Sequence, residues 1–370
     1  MSQQTIPLFS AAAVNAGLDL ASALTRVLQS NSFVLGPEVS RFEEEFARYT
    51  GVGHCVSLAN GTDALELALK ALGVGPGDRV ACVANAGFYS STAIHLVGAD
   101  PVYVDVDSRS LTLCPDALAM ALRERPAAVI VTHLYGQLAD IERIVALCRA
   151  AEVPLIEDCA QAHGAERGGR RAGSFSEIAC FSFYPTKNLG ALGDGGAVVT
   201  GNEALAAQVK SLRQYGWTRK YEVTRLGGRN SRLDELQAAV LREKLPQLDR
   251  QNAQRRAIAA RYNGAFAGLP LQLPVSVQGD YVAHLYVVRT AAREALRAHL
   301  LGQGVGSDVH YPIADTQQSA FNGLHADQKL PVTFAACAGV MSLPCFPGLG
   351  EADVASVIGA VRSFFDGTGA

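Results

Sequence analysis

Charge is sparse in this chain. Only 18% of its 370 residues are Asp, Glu, Lys or Arg, and the formal balance is -3. With no excess of either sign, there is no electrostatic footprint for nucleic acid or for an anionic membrane. Long apolar runs are missing as well, and none approaches the roughly 20 residues of a spanning helix. Residues 1–7 are polar, with no basic segment leading into an apolar one. A cytoplasmic protein is therefore expected. The 8 cysteines show no C-x-x-C spacing. Cys82, Cys148, Cys180 and Cys337 sit in apolar runs and read as reduced, buried thiols, not as disulfides or zinc ligands. No metal site is expected. No G-x-G-x-x-G follows a first strand, which removes the usual case for a dinucleotide. Internal repeats, low-complexity tracts and charge runs are absent too.

What the chain does have is material for a core, since 49% of it is hydrophobic. The length suggests a large domain over 1–245 and a smaller one over 246–370. Short apolar runs alternate with helical periodicities, the pattern of an α/β fold. Helices are expected over 11–28, after Gly36-Pro37, over 62–72, 90–97 and 140–150, and from about 233. Strands are expected over 80–84, 102–106, 128–132 and 281–289. Thr62 or Asp63 is the expected cap of the helix that follows Asn60-Gly61.

The stretch 155–199 organises the rest. Its two apolar runs, 153–156 and 178–183, read as buried strands. The first leads into Glu157-Asp158, the second into Tyr184-Pro185-Thr186-Lys187. Open α/β sheets bind ligands at the carboxyl ends of their strands, so Asp158 and Lys187 are expected to face one site. Such a pair suits pyridoxal 5'-phosphate. The lysine forms a Schiff base, and the acid keeps the pyridine nitrogen protonated. The plain alternative is a strand ending in Asp and a solvated lysine. Ser182 and the glycines around Lys187 favour the cofactor.

The segments EDCAQAHGA (157–165) and SFYPTKNLGALGDGGAV (182–198) closely resemble the sugar aminotransferases of the DegT/DnrJ/EryC1/StrS family. FVLGPEVSRFEEEFA (33–47), GRNSRLDELQAA (228–239) and HYP (310–312) extend the resemblance over almost the whole chain. It implies a fold type I PLP-dependent transferase. In that fold a large, mostly parallel sheet domain is flanked by helices and followed by a smaller α+β domain. It also implies roles. Lys187 is the Schiff-base lysine and Asp158 the partner of the ring nitrogen. Gln161 bonds the phenolic oxygen. Gly61, Thr62 and Ser182 hold the phosphate, joined by Asn230 from a neighbouring subunit in a homodimer with shared sites. The aromatic that stacks on the ring falls on Phe88, with Tyr89 the alternative, because Gly87 occupies the usual place. His163, Tyr184, His310 and Tyr311 are candidates for contact with substrate, and for His163 a structural role is the competing reading. His133 reads as a satisfied polar group. The implied reaction transfers the amino group of L-glutamate to a nucleotide-linked keto sugar, with a dTDP-3-keto-6-deoxyhexose the first choice. A 4-keto sugar or a silent PLP-binding regulator is the alternative. Such deoxyaminosugars enter glycans like the lipopolysaccharide O-antigen.

Overall fold

A computed structural model describes residues 5–325 and 327–367. Its main sheet has seven strands: β1 (His54–Leu58), β2 (Arg79–Cys82), β3 (Asp100–Tyr103), β4 (Ala128–Thr132), β5 (Leu155–Asp158), and, after the hairpin β6 (Glu166–Arg167) and β7 (Arg170–Arg171), β8 (Ile178–Ser182) and β9 (Gly196–Thr200). Across the sheet the order is β1-β9-β8-β5-β4-β2-β3. Neighbours are parallel except at β9, which is antiparallel to both β1 and β8. β4 is buried throughout, as expected of a parallel strand covered on both faces.

The helices on this sheet are α1 (Ala11–Asn15), α2 (Leu20–Ser30), α3 (Pro37–Thr50), α4 (Gly61–Ala71), α5 (Tyr89–Leu96), α6 (Pro115–Ala121), α7 (Ile141–Ala150), α8 (Glu203–Leu212) and α9 (Glu235–Lys244). Alternation along β4 sends Val129 and Val131 to one face and Ala128 and Ile130 to the other. The first pair joins a core built with α3, α6, α7 and α9, the second a core built with α4, α5 and α8. A small hairpin, β10 (Trp217–Arg219) and β11 (Glu222–Val223), follows α8. Next, α10 (Leu248–Phe266) gives Leu248 to the first core and Ile258, Tyr262 and Phe266 to a third. That third core is completed by the antiparallel pair β12 (Tyr286–Arg289) and β13 (Val340–Leu343) and by α11 (Arg293–Gly302) and α13 (Glu351–Gly367). Between α11 and β13, α12 (Pro331–Gly339) returns Ala336 to the first core.

The sheet order reverses between β4 and β2, so connections after them leave toward opposite sides. A crevice therefore opens at the carboxyl ends of these strands. At the other side of the sheet, the start of β9 passes directly against the turn that follows β1. A Cβ on Gly196 would stand 2.2 Å from the carbonyl oxygen of Asn60, so only glycine fits.

Three expectations are corrected. The helix over 11–28 is two helices, because Gly17 turns left-handed (φ +78) and Asp19 starts α2 by accepting the Ser22 N–H. α4 is capped by Asn60, not by Thr62 or Asp63; its Oδ1 accepts the Asp63 N–H at 2.8 Å. Only the last part of 281–289 is a strand. Residues before it bond to the loop after β4 instead, with Val282 N–H donating to Gly136 C=O at 2.9 Å. One cap had no local signal at all. Glu235 accepts the N–H groups of Gly36, Glu38 and Val39 at 2.8–2.9 Å, closing the start of α3 from about 200 residues away.

Candidate active site

The strand ends meet in a cavity of about 1030 Å³. Asn60, Gly61 and Thr62 enter it after β1, Tyr89 after β2, Thr132 from β4, Asp158 and Gln161 after β5, and Ser182, Tyr184 and Lys187 after β8. The far wall brings His284, His310 and Tyr311. Asp158 and Lys187 thus share one enclosure.

Asp158 is enclosed at the end of β5. Its Oδ2 accepts the Thr132 hydroxyl and its Oδ1 the Ala160 N–H, both at 3.1 Å. Burial raises its pKa, against the pull of Ala160, the Lys187 ammonium and Thr132. Burial also lowers Lys187 to about 8, and Asp158 opposes that shift. A lysine so poised gives up its proton near neutrality, which an amine nucleophile and base requires.

Gln161 is held at both ends. Its Oε1 accepts the Tyr135 N–H at 2.6 Å and its Nε2 donates to the Tyr311 hydroxyl at 3.2 Å. The second Nε2 proton remains to donate elsewhere. Tyr135 in turn donates its hydroxyl to His310 C=O at 2.6 Å, tying the loop after β4 to the His310-Tyr311 wall. His310 Nδ1 bonds Ser342 Oγ at 2.9 Å. Tyr184 lines the cavity with about half of its surface exposed.

The start of α4 faces the same space. Its Asp63 N–H is taken by Asn60 and its ladder begins at Ala64. The N–H groups of Gly61 and Thr62 therefore project from the helix end, where the dipole favours an anion. Ser182 lies against Gly61, and a Cβ on Gly61 would come 2.7 Å from the Cβ of Ser182. A small donor-lined cradle results. Together with the acid and the amine, it fits the phosphate, ring nitrogen and aldehyde of pyridoxal phosphate.

Two residue assignments change. Phe88 does not line the cavity; its ring lies 5.5 Å from that of Phe321 and 6.4 Å from that of His95. Gly87 (φ +80) and Phe88 (φ +71) are both left-handed, which swings Phe88 outward and turns Tyr89 in. Tyr89 packs edge-on against Tyr311 at 6.2 Å. Asp315 holds this turn, accepting the Phe88 N–H at 3.1 Å and the Ser91 hydroxyl at 2.6 Å. His163 is likewise not a wall residue. It is fully buried against Phe181 and Phe183, and burial with the Lys187 charge drives its pKa down to about 3. A neutral packing group, it has no route to substrate. Asn230 is exposed and does not line its own chain's cavity.

Beneath the site, His133, Glu157 and Cys159 bring ligand-type atoms within 4.8 Å of one another. Hydrogen bonds already occupy His133 and Glu157. Glu157 accepts from the Gly173, Phe175 and Ser176 N–H groups and the Ser176 hydroxyl at 2.9 Å, and from His133 Nε2 at 3.1 Å. His133 Nδ1 accepts the Ala139 N–H at 3.2 Å, which fixes the proton on Nε2. Burial raises the Glu157 pKa, but His133, Gly173 and Ser176 outweigh it and hold it below the usual 4.5. Its stabilising share is complete above the ordinary glutamate range and is lost as pH falls below it. Glu157→Gln turns an amide donor toward these donors and is expected to cost about 3 kcal/mol. Urea denaturation at pH 7 measures the loss; a midpoint within error of wild type refutes the account.

Several site residues had no signal in the sequence: His284, Asp315 and, on α10, Arg255, which also lines the cavity. So do Leu8 and Phe9 from the N-terminal arm. A single sequence does not bring 8, 255 and 284 to one wall; in the fold, Arg255 of α10 bonds the carbonyl of His284 directly.

Comparison with known proteins follows the same lines. The model of the DegT/DnrJ/EryC1/StrS aminotransferase family matches residues 16–362. A dTDP-3-amino-3,4,6-trideoxy-alpha-D-glucose transaminase of Micromonospora megalomicea subsp. nigra is 43% identical, over 94% of this chain and 95% of that protein. A UDP-N-acetyl-3-dehydro-alpha-D-glucosamine 3-aminotransferase of Acidithiobacillus ferrooxidans is 41% identical, over 94% of each. The crystal structure of S. venezuelae DesV in complex with a ketimine intermediate superposes with a TM-score of 0.95 at 42% identity. The match covers 98% of this chain and 99% of that one.

Proposed function

The chain belongs to the DegT/DnrJ/EryC1/StrS aminotransferase family, and from that premise we propose that it transfers the amino group of L-glutamate to a keto sugar carried on a nucleotide. The observation that carries the proposal is the joint enclosure of Lys187 and Asp158 beside the donor cradle of Gly61, Thr62 and Ser182. Pyridoxal phosphate, when bound, supplies the electron sink that stabilises negative charge at the carbon bearing the amino group. The protein's own residues do the rest. Gly61, Thr62 and Ser182 fix the phosphate. Asp158 holds a proton on the ring nitrogen. Gln161 donates its spare Nε2 proton to the phenolic oxygen, and Tyr89 is the aromatic for the ring face. Lys187, eased to its neutral form, takes the proton from one carbon and returns it to the other.

The substrate is a 3-keto sugar on dTDP, because relatives over 40% identical carry 3-amino products or 3-keto substrates in their names. UDP is the competing nucleotide, since one of those relatives bears it. Incubation with L-glutamate and a panel of nucleotide-linked 3- and 4-keto sugars tests this, with the aminated product read by mass. Amination of a 4-keto sugar alone refutes the choice of carbon. Turnover of none of the panel refutes the function.

The proposed active unit is a symmetric dimer in which Asn230 reaches the partner's phosphate cradle. Support comes from the surface near Asn230, where Tyr221, Val223 and Leu226 are 77%, 53% and 94% exposed. Apolar side chains this bare ask for cover. Lys187→Ala and Asn230→Asp chains are each expected to be inactive or badly impaired. Co-refolded in equal amounts, half of the dimers are mixed, and each mixed dimer keeps one intact site. Activity then recovers to about a quarter of wild type. Mixed dimers that form without recovering activity place Asn230 in its own chain's site and refute sharing.

A further inference from the structure

Arg255 is a buried cation without a counter-ion. It is 1% exposed and lines the cavity from α10. Among the described residues, it and Lys187 are the only lysine or arginine side chains that do so. Its Nη1 donates to Cys345 C=O at 2.6 Å and, at 3.4 Å, to the carbonyls of Ala283 and His284. Its Nε and Nη2 donate to nothing among the described residues, and no carboxylate pairs with it there. Charged neighbours do not help. His284 is held neutral by burial and by the charges of Lys187 and Arg255, and burial together with Arg255 lowers Lys244 to about 8. Asp308, the acidic residue on the nearby wall, is 62% exposed at its side chain and engages His310.

The free nitrogens define the ligand. Nε–H and one Nη2–H point the same way, forming the side-on edge of the guanidinium, which matches the two oxygens of a carboxylate. Nη1, the remaining nitrogen, is the one spent on main-chain carbonyls. Leaving a charged edge bare in an enclosed site is costly unless an anion arrives to meet it. An amino-acid donor brings such a group, whereas the phosphate end of the site has its own neutral donors. We propose that the Nε–Nη2 edge of Arg255 receives a carboxylate of the amino donor, making the wall formed by Arg255, His284 and His310 the donor-carboxylate subsite. The inference rests on the aminotransferase reading.

Glutarate, a dicarboxylate without an amino group, tests the subsite without turnover. Titrated calorimetrically into the holoenzyme, it should bind about 30-fold more weakly to Arg255→Met than to wild type, the loss of a charge-assisted pair. Arg255→Lys keeps the charge without the fork and should be at least fivefold weaker. If the Met variant does not fold, the Lys variant decides. Thymidine diphosphate should bind all three within twofold, and KM should rise for L-glutamate but not for the keto sugar. In glutarate-soaked crystals a carboxylate should lie about 3 Å from Nε and Nη2. Glutarate affinity unchanged in the Lys variant, or a loss confined to the diphosphate, overturns the proposal. Because glutarate binding needs no product, an empty sugar screen would sink the proposed function and leave this result standing.

Discussion

Lys187→Ala is expected to abolish amino transfer, by roughly four orders of magnitude or more, while the protein stays folded. In the proposed function the lysine both captures the cofactor and moves the proton, so its removal would take away two steps at once. Borohydride treatment of the wild-type holoenzyme should fix the cofactor to the peptide that holds Lys187. Labelling at Lys70, Lys210, Lys220, Lys244 or Lys329 instead would overturn the assignment. The same residue makes a pH prediction. Burial lowers its pKa from 10.5 to about 8. Between those values the unfolded chain binds more protons at this position than the folded one, so stability rises with pH across that window. The wild-type apoprotein should therefore gain stability relative to Lys187→Ala from pH 8 to 10.5. Capture of the cofactor should also level off above about pH 8, not near the range of a free lysine. A stability difference that is flat across the window would show the lysine to be unperturbed.

Asp158→Asn is expected to lower kcat by about 100- to 1,000-fold, the usual cost of losing a preorganised charge at a reacting centre. The amide cannot keep a proton on the ring nitrogen, yet it is nearly the same shape. Thr132 and Ala160 hold the position from neighbouring elements and should hold the variant too. The cofactor should still bind, so the loss belongs in kcat and not in occupancy. A kcat within threefold of wild type, with the cofactor bound, would remove Asp158 from the chemistry.

Much of this site could be read from the chain because its logic is local. β4 is a continuous apolar run whose ends coincide with those expected, since a strand covered on both faces has no polar side to blur it. Asp158 closes β5 and Lys187 sits in the turn that follows β8, both at the sheet's carboxyl edge, where such folds face their ligands. What could not be read depends on backbone hand or on distant partners. The exchange of Phe88 for Tyr89 follows from two successive left-handed residues and a carboxylate 227 positions away. His163 sits in a motif beside Gln161, but a half-turn of chain puts it under the sheet's aromatic layer, not in the cavity. The helix expected over 11–28 fails at one glycine, a break that the apolar periodicity does not register. Glu235 looks like a first-turn acid of its own helix and spends its carboxylate on another one.

The Asp315 contact has a consequence for exchanging parts between relatives. It clamps the turn that carries Tyr89 to the segment that carries His310 and Tyr311, and Asp315 N–H also reaches back to Ala84 C=O at 2.8 Å. The tyrosine proposed for the cofactor ring and the wall proposed for substrate therefore belong to one clamped cassette, 84–91 with 308–315. Grafting the second segment from a homologue without the first strands Ser91 and the Phe88 N–H, or leaves a carboxylate enclosed without donors. Chimeras that move both segments together keep the clamp, and with it the inward-facing tyrosine, so recombination for new sugars has a natural pair of cut sites.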